Sequence, residues 1–250
     1  MGRSPRYTTK IDGVLVVDKP LGVSSAEVVR RVRFGAGNCK TGHAGTLDPL
    51  ATGVLVCCLG DATRLSERVM KGVKAYEAAV DLSAFTTTDD REGERTEVAI
   101  DEDNRPTRGA IEAAAAGFVG SISQVPPAFS AAHVAGKRAY AMARRGEAVK
   151  LEPRTVRIDA IELVRYDWPI AELAVTCGKG VYIRSLARDL GESLGTGGHL
   201  AALRRTRVGP FEVGAARALA TIERGCLSAE DLTDLPTVEA WLGEASGDGK

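Results

Sequence analysis

Six consecutive apolar residues, Val54-Leu55-Val56-Cys57-Cys58-Leu59, constrain this chain more than any other feature. The run has the length and the β-branched character of a strand, and being apolar at every position it predicts a strand buried on both faces. The chain must then supply cover above it and below it. Directly before the run comes GHAGTLDPLATG, residues 42–53. Its glycines permit backbone angles that other residues avoid, while Pro49 fixes its own φ and keeps Asp48 out of the helical region. One carboxylate therefore stands at the mouth of a core strand. Spacing leaves two readings of Asp48 open: an acid presented for chemistry, and an Asp-Pro turn opening.

Elsewhere the expected strands are too frequent and too often adjacent for a Rossmann alternation, and the GTGG at 195–198 is not GxGxxG. A strand is predicted over 11–17, stopped by Pro20. Ser24-Ser25-Ala26-Glu27 has capping-box form and predicts a helix over 25–34, with Ser24 accepting from the amide three residues on. Asp61 is expected to cap a helix running to Met70. Residues 73–82 read as a strand, 83–93 as a polar connection, and Thr107 as the start of an alanine-rich helix. Gln124-Val125-Pro126-Pro127 forbids helix. A basic helix is expected over 137–146, strands over 155–166 and 171–176, and a strand-to-helix transition over 181–194 with Arg184 near its start. The fold class is α+β, a mixed, mainly antiparallel sheet with flanking helices. Residues 1–10 read as a basic extension, 11–215 as the main domain, and 216–250 as a C-terminal helix and tail, with 235–250 ending in a polar, frayed tail.

With 44% hydrophobic and 26% charged residues the composition is that of a soluble globular protein. No apolar run approaches the roughly 20 residues of a membrane span, and the N-terminus lacks the apolar region of a secretory signal, so the cytoplasm is expected. The five cysteines show no CxxC spacing and read as reduced core residues, and His43, His133 and His199 are widely separated. No metal site is expected. Net charge is zero, but its distribution is uneven. Lys137, Arg138, Arg144, Arg145, Lys150, Arg154 and Arg157 face only Glu147 and Glu152 within 137–157, and Arg204, Arg205 and Arg207 form a second cluster. Basic faces favour phosphate backbones; solvated helix surfaces look the same in sequence.

A lone carboxylate narrows the chemistry to nucleophile, base, or partner of an arginine. Arg184 is the natural partner, because CGKGVYIR repeats the design of the Asp48 loop: glycines, then a charge at a junction. An arginine fork would hold a carboxylate still. Structural ion pairs do the same. Tyr76, in a strand of small side chains, is either core or a platform for a planar ligand. His43 either meets substrate or braces the loop. Asp18-Lys19 lacks the threonine and glycine pattern of aspartyl-phosphate sites.

Taken together, GHAGTLDPLATGVL, preceded by DKPLGVSS and followed by VKAYEAAV, TTTDDREG and VTCGKGVYIRSLARDLG, closely resembles the TruB family of tRNA pseudouridine synthases, from about residue 11 to 211. The resemblance implies the pseudouridine synthase fold over 11–215 and isomerisation of uridine 55 in the tRNA T-arm. The N1–C1′ bond is cleaved, the uracil reoriented and the base rejoined through C5, with no cofactor and no metal. By it Asp48 matches the essential aspartate, Tyr76 the aromatic stacked on the target base, and Arg184 the arginine paired with the aspartate. Tyr182 and Leu203 match pocket residues, His43 an RNA contact, Asp90 an acid near the substrate, and Lys19-Pro20 a motif that supports the loop. Lys137, Arg138, Arg144, Arg145, Arg204 and Arg205 are the candidates for gripping phosphates. The partner is the tRNA T-arm, with no protein partner required and the chain acting as a monomer. Ser83 and Ala44 depart from the usual glycine and threonine, His133 stands where lysine is usual, and no full PUA domain is expected after 215. An RNA-folding module without turnover and a uridine in a different RNA are the competing readings.

Overall fold

The computed structural model describes residues 9–130, 133–134, 137–138 and 151–244. The chain groups into two units, Met1–Ala75 with Arg204–Lys250, and Tyr76–Leu203. In order it forms β1 (Gly13–Lys19), α1 (Ser25–Gly35), β2 (Thr41–His43), β3 (Ala51–Leu59), a 3-10 turn over Gly60–Leu65, and α2 (Ser66–Lys71). The second unit is entered along β4 (Lys74–Asp81). It continues through β5 (Ala84–Thr86), β6 (Arg95–Glu97), α3 (Arg108–Ala116), β7 (Gly120–Gln124), β8 (His133–Val134), β9 (Lys137–Arg138), β10 (Arg154–Asp167), β11 (Ile170–Cys177) and α4 (Ile183–Leu194). β12 (His199–Val208) returns the chain to the first unit, which ends with β13 (Phe211–Glu212), β14 (Arg217–Ala218) and α5 (Leu235–Glu244).

In the first unit β1 runs antiparallel to β3, from Gly13 opposite Leu59 to Lys19 opposite Gly53, and β14 lies parallel on the other edge of β1. The apolar run is a strand with both faces buried, as predicted. Val54, Val56 and Cys58 join Val14, Val16, Leu65, Val69, Val238 and Leu242 on one side. Leu55, Cys57 and Leu59 join Leu15, Val17, Val28, Val32, Leu219 and Ile222 on the other. Each large apolar side chain so covered contributes roughly 1.5–3 kcal/mol. Ser24 caps α1 as its sequence predicts, its Oγ accepting from the Glu27 N–H at 3.2 Å.

One expectation needs correction here. Asp61 is not a helix cap: Leu59 holds that position with no side-chain cap, and the Asp61 N–H is taken by Asp12 Oδ1 at 2.7 Å. Residues 235–244 form α5, with Val238 and Leu242 buried. Cys39, Cys57, Cys58 and Cys177 are core residues, whereas Cys226 is exposed.

In the second unit β4, β11, β10 and β7 lie side by side. β10 is antiparallel to both its neighbours in the sheet, β11 and β7. Ala171, Leu173, Val175 and Cys177 alternate inward along β11, so this sheet buries one face there. α3, capped by Thr107 Oγ1 accepting from the Ala110 N–H at 3.2 Å, packs on β10 and on α4. The helix expected over 137–146 begins instead as the two-residue strand β9, paired with β8. The rest of that expected helix, with Arg144 and Arg145, lies outside the described residues. The class is α+β with a mainly antiparallel sheet. No helix among the described residues is long and apolar enough to cross a membrane.

Candidate functional site

Asp48 sits, half-buried, on the loop that joins β2 to β3. It does open a turn, its carbonyl accepting from the Ala51 N–H at 3.1 Å. The more informative feature is how the rest of the loop is held. Arg205 Nη2 donates to Gly45 O at 3.1 Å, its Nη1 to Thr46 O at 3.3 Å and its Nε to Val54 O at 2.8 Å. The Ser25 hydroxyl donates to Leu47 O at 2.8 Å and accepts from Leu47 N–H at 2.9 Å. Pro49 O accepts from the Gly22 N–H at 2.8 Å and from Lys19 Nζ at 3.4 Å, while Lys19 also donates to Pro20 O and Val23 O at 2.9 and 2.7 Å. Carbonyls on both sides of Asp48 thus end on buried donors, Lys19 being fully buried, Arg205 2% and Ser25 4% exposed. Buried polar groups bonded in this way fix a backbone, because any other arrangement leaves them unsatisfied.

Burial pushes Lys19 down to about 8, with the neighbouring Asp48 charge opposing that shift and Arg205 adding to it. His43, on β2, is lowered too, first by burial and then by Arg205, which disfavours its charged form. Its Nδ1 is buried with no hydrogen-bond partner among the described residues. Arg204 points elsewhere, forking onto Asp18 at 2.8 and 3.1 Å.

The second unit carries its own polar centre at the start of α4. Arg184, 4% exposed, lies 3.3 Å from Asp90 Oδ2 and donates to Thr88 O at 3.1 Å and Phe129 O at 2.9 Å. Asp90 is buried as well and accepts on its other oxygen from Thr88 Oγ1 at 2.6 Å and the Glu92 N–H at 3.0 Å. The strand end at Leu200 fixes this turn: Leu200 N–H donates to Asp89 O and Arg91 N–H to Leu200 O, both at 3.0 Å. Asp89 adopts φ 59°, an angle that aspartate tolerates better than most residues. Burial raises its carboxyl although Arg188 pairs with it at 2.7 Å. Tyr182, just before α4, is gripped by Gln124, whose Oε1 accepts from Tyr182 N–H at 2.8 Å and whose Nε2 donates to Tyr182 O at 3.2 Å.

Of the candidates read from sequence, Asp48, His43 and Arg205 gather at one loop of the first unit. Arg184, Asp90 and Tyr182 gather at the head of α4 in the second. Tyr76 in β4 and Leu203 in β12 are half-buried in the second unit. Lys137 and Arg138 form β9. Arg205 is buried rather than presented to phosphate. Ser25, Gln124, Asp89 and Arg188 were not singled out by sequence. Ser25 is hidden beside the cap at Ser24, and Gln124 had a signal in the prolines after it, which end β7 at that residue.

Comparison with known proteins matches this chain to a family profile described as TruB family pseudouridylate synthase (N terminal domain) over residues 31–183. A second, tRNA pseudouridylate synthase B C-terminal domain, matches residues 184–237. A tRNA pseudouridine synthase B of Cereibacter sphaeroides is 47% identical over 251 residues, covering 96% of this chain and 82% of that protein. One of Pseudomonas aeruginosa is 44% identical over 224 residues, covering 90% and 73%. Among solved structures, a chain of a Cbf5-Nop10-Gar1 complex superposes with a TM-score of 0.63 at 32% identity, over 83% of this chain and 52% of that one.

Proposed function

This chain belongs to the TruB family of pseudouridylate synthases, and we infer from that membership that it isomerises uridine 55 in the T-arm of tRNA to pseudouridine. The reaction breaks N1–C1′, makes C5–C1′, and moves one proton from C5 to N1, so atoms and electrons balance within the nucleotide. What the protein must add is an exposed uridine, a group that attacks or takes a proton, and a frame that holds both. Asp48 is that group. The observation that carries this reading is the loop around it, whose carbonyls are held by Arg205, Ser25 and Lys19 so that the acid's backbone is set before substrate arrives.

Tyr76 offers the aromatic face on which the extruded uracil stacks. Arg184, which pairs with Asp90, and Tyr182 and Leu203 bind the substrate, and His43 contacts the RNA beside the target. Lys137, Arg138, Arg144 and Arg145 grip flanking phosphates. The chain works on tRNA in the cytoplasm, as a monomer and without a protein partner. Asp48→Asn tests the reading, because the amide is nearly isosteric but neither attacks nor accepts a proton as the carboxylate does. Pseudouridine formation in a T-arm hairpin, mapped by mass, is expected to fall by at least about 100-fold while RNA affinity is kept. Turnover near that of the unaltered protein removes Asp48 from the chemistry; RNA remodelling that survives with no pseudouridine made by either protein supports the folding-module reading.

A further inference from the structure

We propose that Arg205 and Ser25 are positioning residues for Asp48: they set the rate of isomerisation by holding the backbone of the catalytic loop, without touching RNA. The inference rests on the reading of Asp48 as catalytic. Its starting point is a mismatch between the sequence position of Arg205 and its surroundings. It belongs to an arginine-rich string of the kind that meets phosphates, yet it is 2% exposed and three of its N–H groups are spent on the carbonyls of Gly45, Thr46 and Val54. A guanidinium so placed presents nothing to solvent.

The backbone is shaped to bring it there. Gly53, the third residue of β3, has φ +96°, and a Cβ at that position would stand 2.2 Å from Arg205 O and 3.0 Å from Arg205 N. β12 therefore passes against bare backbone just inside the start of β3. Gly45, at φ +110°, lets the chain turn at the residue whose carbonyl Arg205 takes. Ser25 closes the other side: one hydroxyl both gives to and receives from Leu47, the residue before Asp48. The peptides at 45, 46 and 47 thus have their orientation set by side chains, and rotating any of them leaves a buried donor without an acceptor. The aspartate at the end of this segment inherits that fixed direction.

A fork of N–H donors reaches three carbonyls at once, which an ammonium on a flexible stem does not reproduce. The test compares Arg205→Met, Arg205→Lys and Ser25→Ala in the full chain with the unaltered protein, measuring thermal stability, tRNA Kd across a salt series, and the single-turnover rate of pseudouridine formation. Loosening the loop by about 1 Å is expected to slow the chemical step by roughly 100-fold in Arg205→Met, with Arg205→Lys between it and the unaltered protein. Kd and its salt slope stay unchanged, as befits a cation that neutralises no phosphate. Ser25→Ala removes a single oxygen, and it carries the test if Arg205→Met does not fold. A weakened Kd with a flatter salt slope would make Arg205 a phosphate contact and overturn the proposal; an unaltered rate in folded Arg205→Met or folded Ser25→Ala overturns it as well. If Asp48→Asn is inactive while these variants turn over normally, positioning alone has failed; if Asp48→Asn itself turns over, the catalytic reading has failed first.

Discussion

Lys19 gives the loop a pH dependence of its own. Its ammonium is fully buried among the carbonyls of Pro20, Val23 and Pro49, and burial lowers it to about 8, from roughly 10.4 in an unfolded chain. Between those two values the unfolded chain binds more protons than the folded one, so stability rises with pH across that window, and below about 8 the cost of burying the charge is present in full. Activity should move the opposite way. A neutral amine has two donors for three carbonyls, and the contact to Pro49, at 3.4 Å, is the longest. We expect the single-turnover rate to decline above about pH 8 while the melting temperature does not, with the decline absent in Lys19→Arg; parallel loss of both would show general unfolding instead. At this scale the sequence was legible where a residue's neighbours advertise its conformation. Asp48 stands among glycines and a proline, so its loop was readable. Ser25 and Gln124 each act through a two-way bond to a peptide distant in sequence, and nothing adjacent to either announces that partner. Arg205 was misplaced for the same reason: in sequence a run of arginines looks like a surface, and only the approach of β12 to Gly53 turns one of them inward.

That approach gives the element-scale expectation. Gly53→Ala asks a side chain to adopt φ +96° with its Cβ 2.2 Å from a backbone oxygen, whereas a Cβ at Gly42 meets nothing within 4 Å. The first substitution should cost at least about 2 kcal/mol, and the second less than about 0.5 kcal/mol. In thermal melts this separates them by roughly 4 °C or more for a protein of this size. Equal melting temperatures would mean that β3 and β12 part at little cost. Elements were legible where local chemistry decided them. The β-branched run became β3, Ser24 and Thr107 cap their helices, and both long strands of the second unit lie within a residue or so of their expected bounds. Asp61 misled because the acceptor that satisfies its N–H comes from Asp12, a residue in a different part of the chain. Leu219, Ile222, Leu227 and Leu232 are buried at uneven spacing on short turns, so no period of 2 or 3.6 marks them as core.

Over the whole chain, those poorly marked residues decide whether the Asp48 loop keeps its frame. The first unit is discontinuous: Met1–Ala75 supplies β1, β3 and the Asp48 loop, and Arg204–Lys250 supplies much of what covers them. Val208, Phe211, Val238 and Leu242 lie in the cluster on one face of the sheet, and Leu219, Ile222, Leu227 and Leu232 in the cluster on the other. Ending the chain at Leu203 removes all of them, together with the Arg205 clamp. At roughly 1.5–3 kcal/mol for each large apolar side chain, the loss is on the order of 10–20 kcal/mol, comparable to or greater than the 5–15 kcal/mol by which domains are usually stable. The second unit, Tyr76–Leu203, is continuous, and such a truncation leaves β10, β11, α3 and α4 whole while cutting β12 after Leu203. We therefore expect a chain ending at Leu203 to lose amide-exchange protection across β1 and β3, to retain it across β10 and β11, and to make no pseudouridine. Protection persisting in β1 and β3 would show that the N-terminal segment holds its sheet without the C-terminal cover, and the Asp48 loop would then owe its geometry to Ser25 and Lys19 alone.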